Sequence, residues 1–99
     1  MAILMTFEFD ATIEDYDKVN EILGTDRPKG LIAHTGVSKN GKMKVVDVWE
    51  TADDFQNFLQ GPLGAAVTEV LGPPPEDAQP PAPQIEEIHD LEVWELHTP

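Results

Sequence analysis

Between Gly30 and Leu59 the chain reads GLIAHTGVSKNGKMKVVDVWETADDFQNFL, and this stretch restricts the possible folds more than any other. Leu31 to Val37 and Met43 to Glu50 have strand length and strand composition, and Asn40-Gly41 between them is the pair preferred where a short turn needs positive φ. Ser38 to Lys42 therefore closes a hairpin, which largely sets the register of its two strands. Thr51 next offers a hydroxyl to the amide near Asp54, while Asp53 and Asp54 sit at the positive end of a helix dipole. The stretch predicts strand, tight turn, strand and capped helix.

The flanks supply the rest of a βαββαβ order. Ile3 to Asp10 alternates, with Ile3, Met5, Phe7 and Phe9 on one face and Leu4, Thr6 and Glu8 on the other. Thr12 with Asp15 resembles a capping box, and Ile13, Tyr16, Val19, Asn20 and Leu23 follow at helical spacing until Gly24. In the second helix Phe55, Phe58, Leu59, Leu63, Ala66, Val67 and Val70 form an apolar stripe that Gly61-Pro62 interrupts. Proline lacks the amide hydrogen and disfavours helix at the residue before it, so a kink or two short helices is expected there. Pro73 to Pro83 holds six of the nine prolines and reads as a stiff connector. Ile85 to Leu96 then reads as the fourth strand.

Ninety-nine residues without repeats make one domain, 1–99, with the connector 73–83 ahead of its last strand. Right-handed crossovers place both helices on one face of a four-stranded antiparallel sheet, the ferredoxin-like α+β arrangement. The odd residues of the first strand, Val46 and Val48 and the helix stripes are expected to form the helix-side core. Leu4, Ile32, Met43, Val45 and Trp49 are then left as an apolar patch on the other face, larger than a soluble monomer normally exposes. A homodimer joined through this helix-free face follows as an expectation.

Charge removes other classes. Nineteen acidic against six basic side chains give a formal charge of −13, and every lysine and arginine lies before position 45. Phosphate backbones and anionic bilayers reward clustered cations, so neither nucleic acid nor a membrane surface is an expected partner. Apolar runs stay well short of the ~18 residues that cross a bilayer. MAILMTF lacks the length and basic flank of a secretion signal, which makes a cytoplasmic location the expectation. Absence of cysteine excludes disulfides, thiolate nucleophiles and cysteine-ligated metals. The glycines form neither a phosphate loop nor a dinucleotide fingerprint.

GLIAHTG, a short hairpin and VVDVWETADDFQNFL together resemble small members of the dimeric α/β barrel superfamily, within its antibiotic biosynthesis monooxygenase-like group. The resemblance covers most of residues 2 to 72 and the last strand, and leaves the proline connector unmatched. It implies two ferredoxin-like protomers packed sheet to sheet. The superfamily includes cofactor-free oxygenases of phenolic polyketides, haem-degrading enzymes, isomerases, decarboxylases and proteins of no known activity. Haem-degrading members use an asparagine on strand one, a tryptophan near the end of strand three and a histidine on helix two. Trp49 fits the second position, but Ile3 to Asp10 holds no asparagine and Thr51 to Leu71 no histidine. Haem degradation is not expected, and no cofactor is implied.

Cofactor-free oxygenases deprotonate an electron-rich phenol and let the carbanion react with oxygen, which needs a base in an apolar pocket. With Val46 and Val48 on the helix side, Asp47 and Trp49 face the barrel interior beside Ile32 and His34 and beside Thr6 and Glu8. His34 is the candidate base because its ordinary pKa lies near neutrality. Asp47 is the group to orient it. Trp49, Thr6, Glu8 and Ile32 would line the substrate pocket, with Trp49 as the flat wall for an aromatic metabolite. The competing reading is structural: His34 and Asp47 satisfy each other and Trp49 is core. A divalent-ion set of His34, Asp47, Glu8 and His89 lacks any local histidine pair, and no metal is expected. A non-catalytic, small-ligand-binding or stress-associated dimer is the functional alternative.

Overall fold

The computed structural model describes residues 1–73 and 82–94. Its elements run β1 (Ile3–Asp10), α1 (Ile13–Leu23), β2 (Leu31–Lys39), β3 (Lys42–Trp49), α2 (Ala52–Phe58), α3 (Gly64–Leu71) and β4 (Gln84–Glu87), with a widened helical turn Leu59–Leu63 between α2 and α3. The four strands form one antiparallel sheet in the order β2-β3-β1-β4. This is the ferredoxin-like α+β fold. Among the described residues no helix is long and apolar enough to cross a membrane.

Local chemistry accounts for the boundaries. Thr12 and Thr51 each accept a hydrogen bond from an amide three residues on, Asp15 and Asp54, both at 3.1 Å. Asn40 and Gly41 adopt φ of 54° and 76°, the left-handed pair a two-residue hairpin needs. Gly61 leaves helical geometry at φ −106° and ψ −105° ahead of Pro62, which splits the long apolar stripe into α2 and α3. Most of the proline connector, 74–81, lies outside the described residues, as does the end of the expected fourth strand. The strand itself is short: β4 ends at Glu87, and Ile88 to Trp94 follow without regular structure.

Register decides which face each residue takes. Ile3, Met5, Phe7 and Phe9 lie directly across from Trp49, Asp47, Val45 and Met43, so these residues share one face of the sheet. That face carries the helices: Ile3, Met5, Val45, Trp49 and Phe55 make the buried core, with Tyr16, Leu31, Phe58 and Leu59 packed against it. The expected parity of β3 is therefore reversed. Met43, Val45 and Trp49 belong to the core, whereas Val46 and Val48 join Leu4 and Thr6 on the bare face.

The reason is volume. Only Glu50 and Thr51 connect β3 to α2, so the start of α2 folds back over the end of the strand. Trp49, with no exposed surface, fills that corner against Phe55 and Phe58, ring centroids 5.7 and 5.5 Å away. A valine there would leave a void, and voids in a core are costly. Gly30 permits the same closure, since a Cβ at that position would stand 2.3 Å from the Asp54 carboxylate. Its carbonyl also accepts a 2.7 Å bond from the Glu50 amide.

Candidate functional site

Reversed parity puts Asp47 beneath the helices at 5% exposure, where an unpartnered carboxylate would cost several kcal/mol. Its two partners come from β2 and β3, and α1 adds a partner to the first of them. From β2, which pairs His34 opposite Asp47, the imidazole Nδ1 comes within 2.6 Å of Oδ1. From β3 itself, Trp49 Nε1–H donates to Oδ2 at 3.3 Å. From α1, Tyr16 Oη lies 2.5 Å from His34 Nε2, with the two rings nearly parallel at 11°. No buried side-chain polar atom among the described residues lacks a partner.

The result is a continuous chain of hydrogen bonds, Tyr16–His34–Asp47–Trp49, running from a half-buried phenol to a fully buried indole. The hydrogen bond to Asp47 holds the His34 pKa above its ordinary value of 6.5; burial opposes this, and the Asp47 charge reinforces it. In both protonation states Nδ1–H donates to Asp47. At Nε2 the polarity changes: the neutral ring accepts from the Tyr16 hydroxyl, and the imidazolium donates to the Tyr16 oxygen. Tyr16 thus extends the titrating group outward. The His34 side chain keeps 39% of its surface exposed, so an incoming molecule can reach the relay at the β2 edge of the sheet.

Gly36 makes the relay possible. It lies on the His34 side of β2, and a Cβ there would stand 2.7 Å from Tyr16 Oη and 2.9 Å from Cζ. A glycine inside a strand often marks a close approach of this kind.

The expected pocket set divides across the sheet. His34 and Asp47 meet, but on the helix side and not in the expected barrel interior. Trp49 joins them through Asp47, but its ring is enclosed by Phe55 and Phe58 and presents no wall to a ligand. Thr6 and Glu8 lie on the bare face, opposite Val46 and Lys44, where they line shallow open grooves. Ile32 is half-buried at the irregularity in β2 between Leu31 and Ala33. Because Glu8 is across the sheet from His34 and Asp47, these three do not converge on a common ion. Tyr16 was absent from the expected set. Its signal was a phenol hydroxyl on the inward stripe of α1, which needs a partner once buried, together with an unexplained strand glycine.

Solved structures share this fold. A candidate antibiotic biosynthesis monooxygenase from Deinococcus radiodurans superposes with a TM-score of 0.59 at 12% identity, over 94% of this chain and 97% of that one. The structural-genomics protein YjcS superposes with a TM-score of 0.57 at 10% identity, over 90% of this chain and all of that one. No protein-family model and no curated protein matches the sequence. At such identities the likeness is one of architecture, and it places the chain among ferredoxin-like α+β proteins.

Proposed function

We propose that the chain is a cytoplasmic, cofactor-independent monooxygenase-like protein for a hydrophobic aromatic metabolite of phenolic type, working as a homodimer through its bare sheet face. The observation that carries this reading is the Tyr16–His34–Asp47 relay: a titratable base, oriented by a buried carboxylate, already in contact with a phenol hydroxyl. A phenolic substrate presents the same group. His34, directly or through Tyr16, takes the phenolic proton, and Asp47 stabilises the imidazolium that forms.

The electron-rich ring carbon then attacks oxygen, and the resulting hydroperoxide loses water to leave a quinone. One oxygen atom stays in the product and the other departs as water, with all electrons drawn from the substrate. The name of the Deinococcus radiodurans protein supports the reaction class for that protein. Leu4, Val46 and Val48, half-buried on a face without helices, support the dimer.

The test is oxygen uptake by metal-free protein with a panel of naphthol-type phenols. Uptake above the protein-free rate is expected, and His34→Ala should lower it by roughly 10²-fold. A second reading, a non-catalytic ligand-binding or stress-associated dimer, draws on the complete burial of Trp49, which leaves no aromatic wall beside the base. It predicts aromatic binding without uptake. A panel giving neither uptake nor binding overturns both.

A further inference from the structure

An imidazole has two nitrogens, and in His34 both are taken. Nδ1–H donates to Asp47 Oδ1 at 2.6 Å, and the lone pair of Nε2 faces Tyr16 Oη at 2.5 Å. The 39% of the side chain that stays exposed therefore offers an incoming molecule carbon surface, with no free lone pair and no free N–H. A proton donor arriving at the β2 edge finds no base on His34 itself.

The group with capacity to spare is Tyr16. While His34 is neutral, the Tyr16 O–H is spent on Nε2, but a phenol oxygen also accepts, and among the described residues nothing else bonds to Oη. Packing does not require that hydroxyl. The ring lies against the core and nearly parallel to His34, contacts that a phenylalanine would make as well. On a side chain as exposed as His34, water would satisfy Nε2 at little cost. Yet β2 places a glycine, Gly36, where a Cβ would stand 2.7 Å from Oη. The strand gives up a side chain at the point where this oxygen approaches the imidazole.

The geometry points to Tyr16 as the catalytic residue of this site: its Oη, and not the imidazole, receives the hydroxyl of the aromatic ligand, and His34 holds the proton behind it. This rests on the phenolic reading above and gives His34 and Asp47 roles exerted through Tyr16.

The proton balance closes within the relay. The ligand O–H bond breaks as its proton forms a new O–H bond on Tyr16, and the original Tyr16 O–H breaks as that proton bonds Nε2. The products are a phenolate and an imidazolium held by Asp47, and Tyr16 is a neutral phenol before and after. Its hydroxyl then donates outward to the phenolate, while Nε2–H donates to its oxygen. An aryl ether of the same shape has no proton to give and loses the contact.

Tyr16 is the only tyrosine in the chain, so it can be labelled alone. Full-length protein grown with fluorotyrosine should give one fluorine NMR signal. A naphthol should move it, and the methyl ether of that naphthol should bind at least about 10-fold more weakly, the effect of one lost hydrogen bond. Tyr16→Phe, with an unchanged far-ultraviolet circular dichroism spectrum, should lower naphthol-dependent oxygen uptake at least about 10-fold, because the ring still covers Nε2 but carries no proton. The fluorine experiment keeps the native hydroxyl and decides the matter should that variant fail to fold.

Uptake by Tyr16→Phe at or above the wild-type rate, or a fluorine signal that the ether moves as readily as the naphthol, overturns Tyr16 as the contact and leaves the monooxygenase reading standing. A signal that responds to the naphthol more tightly than to its ether, without any uptake, supports the contact and overturns the enzyme reading. Wild type that neither takes up oxygen nor responds to the naphthol overturns both.

Discussion

The two faces of the sheet are built from the same strands yet have opposite characters. Beneath the helices, one carboxylate is buried in the core and is satisfied by an imidazole that stays partly exposed and is itself bonded to a half-buried phenol. On the bare face, Leu4, Val46 and Val48 are apolar but lack any covering element in their own chain. One polar group thus lies within an otherwise apolar interior, and apolar groups lie where no interior covers them. The buried carboxylate is therefore a specific feature: excluded from water, it is tolerated only because His34 of β2 and Trp49 of β3 both bond to it. The bare face carries no such constraint, and its apolar character makes sense when a second copy completes the burial.

Substitutions at neighbouring positions of β3 break this contrast most strongly. Trp49→Ala should cost about 4 kcal/mol in urea unfolding, from the lost ring and the cavity between Phe55 and Phe58. Val48→Ala, one residue away on the other face, should cost about 1 kcal/mol or less to the protomer and act instead on dimer affinity. Equal losses at both positions would show that the faces are not distinct.

A smaller effect concerns pH. The His34 pKa is raised in the folded protein, so its contribution to stability is complete below about 6.5 and is lost as pH rises through the folded value. After allowance for a side chain 39% exposed, the contribution is about 1 kcal/mol. The stability difference between wild type and His34→Ala should therefore narrow between pH 5.5 and 8.5. A difference that widens with pH contradicts the relay.

How far the sequence discloses these features depends on what each signal fixes. Asn40-Gly41 sets the hairpin, and the hairpin sets His34 opposite Asp47 whichever face they take, so their pairing was legible. The face was not. KMKVVDVW carries apolar side chains at both parities, and the deciding facts are the β1–β3 register and the space beside Phe55 and Phe58, neither of which is local in sequence. Gly61-Pro62 announced the helix break because proline acts on its own backbone. The fourth strand was read too far past Glu87 because Leu91 to Trp94 have strand composition, whereas pairing needs a partner edge that ends at Ile3. Tyr16 was read as stripe because its hydroxyl finds its partner only after α1 packs on β2.

The relay itself is the central claim, and the most direct measurement is the NMR titration of the His34 ring in wild type and in Asp47→Asn. The account predicts a wild-type midpoint above 6.5. It also predicts that the variant falls below that value, because loss of the carboxylate leaves burial as the opposing influence. A wild-type midpoint at or below 6.5, or one that Asp47→Asn leaves unchanged, would contradict it.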